Sequence, residues 1–148
     1  MIRIDINTEA LQQSLVHLQR SARDLRPVFK DIGEELVKST HQRFEDGIGP
    51  DGEKWALNSV LSTLERKEGD RPLIGETQGL ATEIHYAADD HHVMVGSNKE
   101  YAAIQQFGGK KDDYPHLWGD IPARPFVGLS AADEQEVLDI VLDHLKTP

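Results

Sequence analysis

The residues with the most chemical capacity in this 148-residue chain lie between positions 85 and 92, where His85, His91 and His92 accompany Asp89 and Asp90. Imidazole and carboxylate together suit zinc or iron. Such a metal could activate water, which gives one reading of the chain: a small metal-dependent hydrolase. The spacing favours a simpler account. Asp89-Asp90-His91-His92 falls between two strand-like stretches, where consecutive polar residues make a hairpin turn. His91 and His92 are adjacent, so an extended backbone would aim them at opposite faces. The hydrolase is therefore the alternative reading. His41 and Glu45, four residues apart on a helical stretch, share a face but supply only two of the three or four ligands that zinc takes.

Other reactive arrangements are missing. There is no Gly-x-Ser-x-Gly elbow, no Walker loop and no dinucleotide glycine fingerprint. With no cysteine, thiolate catalysis, thiolate metal sites and disulfides drop out together. Gly108-Gly109-Lys110-Lys111 could touch a phosphate, but Asp112 and Asp113 follow and cancel the charge. The expectation is a protein that is not an enzyme, with no catalytic residue, no metal and no cofactor.

The net charge is −10, from 16 basic and 26 acidic side chains. Such a surface repels a phosphate backbone, whose binding relies on Lys and Arg displacing counterions. Specific nucleic-acid binding is therefore not expected. No apolar run approaches the ~20 residues that span a bilayer, and the first residues lack an apolar core of signal-peptide length. No membrane partner is expected, and the protein should act where it is made. The first fifty residues, nearly neutral with 7 basic and 8 acidic groups, are the part best suited by charge to face another subunit.

Hydrophobic spacing indicates the elements that carry these residues. Ile2 to Ile6 alternates like a strand, and Asn7 or Thr8 can cap a helix whose stripe is Leu11, Leu15, Leu18, Ala22 and Leu25. Pro27 suits the first turn of a second helix with Phe29, Ile32, Leu36, Val37, Thr40 and Phe44 on one face, ended by Gly47. Trp55 follows a turn-rich stretch. A short helix can run from Asn58 or Ser59 through Leu64, and a mixed-charge loop follows it. The glycines between Gly75 and Thr82 argue against a helix of any length there.

Ile84, Tyr86 and Ala88 alternate as one face of a strand, with His92 to Val95 as its return. Tyr101, Ile104 and Phe107 predict the inner face of a two-turn helix. Lys110 to Asp120 reads as a flexible loop. Ser130 with Asp133 makes a capping-box pattern before a last helix with Val137, Leu138, Val141, Leu142 and Leu145 as its stripe. The fold class expected is α+β over a single domain, residues 1–148. A helical N-terminal pair and a C-terminal helix pack on a small, mostly antiparallel sheet, with Arg124 to Val127 as a possible third strand.

Gly96 to Ser130 stands out as a packing surface. Tyr114, Leu117 and Trp118 are aromatic and apolar residues in an otherwise polar loop, and Arg124 and Phe126 flank Pro125. Aromatic residues with arginine are typical interface anchors, so these five are candidates for an assembly contact.

The chain also carries, in order, Arg26-Pro27, Arg43-Phe44, Pro50-Asp51-Gly52 with Trp55, Leu61 with Thr63-Leu64 and Lys67, Gly79-Leu80, Val95-Gly96-Ser97, Tyr101-Ala102, Gln106-Phe107-Gly108 and Ile121 through Ser130. This ordered set resembles the phage virion morphogenesis proteins of Mu-like phages and the related tail completion proteins, over roughly residues 25–135. The positions that carry the resemblance are Trp55, Gly96, Tyr101, Gln106, Phe107, Gly108, Pro122, Arg124, Pro125 and Phe126. Two departures are visible: an extra residue in Thr77-Gln78-Gly79-Leu80, and Gln105 where the family often has His. The resemblance implies a structural role in virion assembly, in tail completion or head–tail joining. It further implies head, neck or tail proteins as partners, a ring of copies, location in the virion and in the host cytoplasm during assembly, and no cofactor.

Overall fold

A computed structural model describes residues 9–20, 24–56, 79–115 and 120–146, and its spine is helix α2 (Arg26–Asp46). Pro27 lies in the first turn, where its missing N–H would have been unpaired. Gly47 ends the helix in the left-handed conformation, φ 67° and ψ 31°, with its N–H donating to the Arg43 carbonyl. Both limits are those the sequence predicts.

Two hydrophobic clusters share this helix. Val28, Phe29 and Ile32 of its first half join Leu25, Val137 and Val141. Phe44 near its end joins Trp55, Leu80, Ile84, Ala102, Phe126 and Val127. Leu36 and Val37 are half-buried between the two groups. Burying a side chain of this size contributes about 1.5–3 kcal/mol, so each half of α2 is anchored independently.

The sheet is an antiparallel pair of strands, β1 (Ile84–Ala88) and β2 (Val93–Ser97), running from the pair Ala88–Val93 at the turn to Ile84–Ser97. Ile84 is buried and Tyr86 and Ala88 are half-buried, while His85 and Ala87 are exposed, as the alternation predicts. Asp89 shapes the turn: its Oδ1 accepts the N–H groups of His91 at 2.7 Å and His92 at 2.9 Å. Its own N–H donates to the His92 carbonyl at 3.0 Å. Helix α2 lies across both strands. Arg124 to Val127 is not a third strand: among the described residues the sheet has two, and this segment is in neither. Prolines at 122 and 125 withhold two N–H groups from any ladder, and the segment is held by side chains instead.

A single-turn helix, α3 (Gly79–Thr82), forms at the end of the glycine-rich stretch and buries Leu80. A two-turn helix, α4 (Ala102–Phe107), and a long one near the C-terminus, α5 (Ala131–Lys146), follow. At the start of α5 the Asp133 N–H donates to Ser130 Oγ at 3.0 Å and the Ser130 N–H donates to Asp133 Oδ2 at 3.1 Å, a capping box built with aspartate. Val137 and Val141 are buried and Leu138, Ile140 and Leu145 half-buried, whereas Leu142, expected in the stripe, is exposed.

Helix α1 (Glu9–Arg20) lies on α5, as α2 also does, so the C-terminal helix joins the two N-terminal ones. Leu25 is buried, but as the residue preceding α2 and not on α1. The predicted strand at 2–6 with its cap at Asn7 or Thr8, Ala22, the helix at 58–64 and the charged run at 65–71 lie outside the described residues. The architecture is α+β.

Candidate assembly surface

Residues 121–128 are held as if in a bracket, and most of the holding is done by side chains from elsewhere. Gln106, buried on α4, accepts the N–H groups of Phe126 and Val127 on Oε1, each at 3.0 Å, and donates from Nε2 to the Val127 carbonyl at 2.9 Å. Arg43 donates from Nη1 to the Phe126 carbonyl at 2.9 Å, and Trp55 from Nε1 to the Pro125 carbonyl at 2.8 Å. The Arg124 N–H donates to the Gln105 carbonyl at 2.8 Å, and its Nε to the Ala56 carbonyl at 2.7 Å. An unpaired buried backbone group costs as much as a lost hydrogen bond, so a segment without a ladder needs these donors and acceptors.

The apolar side of the bracket is Phe126, fully buried at 0% exposure. Its ring centroid lies 5.6 Å from that of Phe44, which meets Trp55 edge-on at 5.5 Å. Arg43 reaches further, to a buried ion pair with Asp133, and the second oxygen of Asp133 accepts the Ser39 hydroxyl. Burial lowers the Arg43 guanidinium from its ordinary value, and the Asp133 carboxylate opposes that shift.

Helix α4 presents a different face to the core from the one its spacing predicts. Ala102 and Gln106 are buried, four residues apart, while Tyr101 is 44% and Phe107 65% exposed. Ile104 is half-buried. The need to place the Gln106 amide against residues 126 and 127 overrides the apolar stripe, and Tyr101 and Phe107 are turned outward. Gly108 follows with φ 75°, and a Cβ there would come within 2.8 Å of the Ile121 carbonyl oxygen and the Ala123 nitrogen. Only glycine fits this approach. Gly109 and Ile121 then exchange two backbone hydrogen bonds, at 2.9 and 2.7 Å, which close the base of the loop between them.

The outer side of this base is a cleft of about 570 Å³ lined by Tyr101, Ile104, Gln105, Phe107, Tyr114 and Ile121 among others. Of the five assembly candidates, Tyr114 lies here and is exposed, whereas Arg124 and Phe126 are buried in the chain's own core. Leu117 and Trp118 lie outside the described residues. Among the remaining signature positions Trp55, Gly96 and Gln106 are buried, Gly108 and Pro125 half-buried, and Tyr101, Phe107 and Pro122 exposed. The signature thus combines the bracket with the surface it supports. The outward face of α4 could have been suspected only from Gln106, a polar residue that its own apolar neighbours would otherwise have displaced.

The histidines and aspartates of the hairpin are engaged locally. His85 Nε2 lies 3.1 Å from Glu83, His92 Nδ1 3.2 Å from Asp89, and Asp90 3.0 Å from Arg26. The N–H groups of His91 and His92 hold the Asp89 carboxyl below its ordinary value, and the Arg26 guanidinium does the same for Asp90. Among the described residues no three His, Asp or Glu side chains converge as a metal site would need. A second concavity, about 800 Å³, runs between α2 and α5 over the Arg43–Asp133 pair, with Lys38, Asp46, Pro50 and Glu136 on its walls.

The profile of the phage virion morphogenesis family matches residues 6–146 of this chain. The chain is 31% identical over 147 residues to Mu-like prophage FluMu G protein 2 of Haemophilus influenzae, covering 99% of this chain and 97% of that protein. It is 31% identical over 144 residues to the putative capsid assembly protein G of Escherichia phage Mu, covering 95% of this chain and 91% of that one. No solved structure matches it.

Proposed function

The chain belongs to the phage virion morphogenesis family, and from that premise we propose that it is a structural, non-enzymatic protein of phage or prophage assembly. A role in virion assembly is the coarse part of this reading. The finer part is tail completion or head–tail joining through contacts with other head, neck or tail proteins, with copies arranged in a ring. It would work in the host cytoplasm during assembly and remain in the virion.

The observation that carries this reading is the exposed aromatic face of Tyr101, Phe107 and Tyr114. Large exposed apolar groups beside a cleft are typical of protein interaction sites. Here the bracket beneath them fixes their positions, as a docking surface requires. The metal-dependent hydrolase has less in its favour, since His85, Asp89, Asp90 and His92 of the hairpin each have a nearby partner.

The test is a phage carrying a nonsense mutation at this gene, examined by electron microscopy with and without the protein supplied in trans. Filled heads accumulating beside separate tails would support the joining role. Failed capsids would move the function to the head, in line with the description of the phage Mu relative as a capsid assembly protein. Normal infectious particles would overturn the proposal.

A further inference from the structure

The turn that leads into Tyr114 carries a charge pattern of its own. Lys110, Lys111, Asp112 and Asp113 follow one another, all exposed, and the N–H groups of Asp113 and Tyr114 close the turn on the Lys110 carbonyl at 3.1 and 3.0 Å. Among the described residues none of these four side chains takes part in an ion pair. From residue 99 to 115 there are three lysines and three acids, with Asp120 joined to the turn through the Lys111 N–H at 2.9 Å, in a chain whose total is −10. Most of this protein's surface repels a second copy of itself; this part does not.

The order plus, plus, minus, minus is self-complementary. Rotated about a two-fold axis it reads minus, minus, plus, plus, so each lysine pair meets the other chain's aspartate pair. That is the defining property of an isologous contact, in which residue i touches j and j touches i. The exposed rings of Tyr101, Phe107 and Tyr114 adjoin the turn and supply the apolar centre such an interface needs.

We propose that this face binds a second copy of the same chain, forming a two-fold dimer with the aromatic residues at its centre and reciprocal Lys110-Lys111 to Asp112-Asp113 pairing at its rim. A two-fold contact closes on two copies, so it is distinct from the head-to-tail contact of a ring. It concerns the free chain, and because it covers the aromatic face that the proposed function gives to other virion proteins, the dimer has to open before that contact forms.

The experiment is sedimentation equilibrium of the purified full chain. The wild type is expected to dimerise, and to do so less tightly as salt is added. Lys110→Asp with Lys111→Asp makes the turn all-acidic, and Asp112→Lys with Asp113→Lys makes it all-basic. Each double variant alone is expected to associate at least about a hundredfold more weakly, because like charges then face each other. An equimolar mixture of the two is expected to recover a heterodimer. Phe107→Ser weakens the dimer while its circular dichroism stays that of the wild type. A wild type that remains monomeric at every attainable concentration overturns the proposal. So does a dimer indifferent to both charge swaps, or a mixture that stays monomeric.

Discussion

Arg43 and Asp133, 90 residues apart in sequence, form an ion pair whose side chains are only 7% and 6% exposed. Each also makes a second contact that the fold depends on. Arg43 holds the Phe126 carbonyl, and Asp133 caps α5. Removing one partner strands a charge out of water, which costs about 3–5 kcal/mol. Arg43→Ala and Asp133→Ala should each lose about that much in urea unfolding. The double variant Arg43→Ala with Asp133→Ala should lose clearly less than the two single losses added together, since no orphan charge remains. Strict additivity would show that the pair is not coupled.

Gln106→Leu keeps the volume of the side chain and removes its three hydrogen bonds to residues 126 and 127. Two N–H groups and one carbonyl are left unpaired, at about 1–3 kcal/mol each. A loss of about 3 kcal/mol or more is expected. Amide exchange at Phe126 and Val127 should accelerate before that of the β1–β2 hairpin. Unchanged exchange at these two amides would mean that the bracket is held by something other than Gln106.

Phe107 and Phe126 separate assembly from stability. Phe126→Ala empties a fully buried site and should cost about 3–5 kcal/mol. Phe107→Ser changes a ring that is 65% exposed and should stay within about 0.5 kcal/mol of the wild type. If the aromatic face docks a partner, Phe107→Ser nonetheless blocks particle assembly in a complementation assay. A fully infectious Phe107→Ser phage would remove that face from the assembly contacts.

The parts of the fold that were legible in the sequence are those set by local chemistry. Pro27 and Gly47 bound α2, Ser130 and Asp133 start α5, and the alternation from Ile84 to Ala88 marks β1, because each depends on neighbours a few residues away. The orientation of α4 was not legible in this way. Its apolar residues at 101, 104 and 107 predict an inner face, but the side facing the core is chosen by backbone groups twenty residues downstream that need the Gln106 amide. The same distance hides the purpose of Arg43, and it makes residues 124–127 look like a strand. Of the assembly surface, Tyr114 is one of the residues singled out for a contact and is exposed, while Tyr101 and Phe107, expected inside, are exposed as well.

The hairpin turn supplies a pH dependence. The N–H groups of His91 and His92 depress the Asp89 carboxyl below its ordinary value of 3.8. A carboxyl lowered by folding contributes stability that is complete above that ordinary value and is lost as pH falls through the lower folded one. Asp89→Ala should therefore melt earlier than the wild type at pH 7, with the gap narrowing as the pH is taken from about 4 towards 2. Asp89→Asn, which keeps an acceptor oxygen, should fall between them at neutral pH. A gap that stays constant down to pH 2 would exclude the charged form as the source.

The bracket around residues 121–128 also sets an order of events in time. Its partners lie 83, 70 and 68 residues away at Arg43, Trp55 and Ala56, and nearer at Gln106. The segment has no ladder of its own to form early, and contacts across such separations must wait for chain closure. It is therefore expected to dock after α2 and the hairpin, on the native side of the folding barrier. Substitutions at Gln106 or Trp55 should accelerate unfolding and leave the refolding rate almost unchanged. The strength of this late closure is then expected to govern the lifetime of the folded chain.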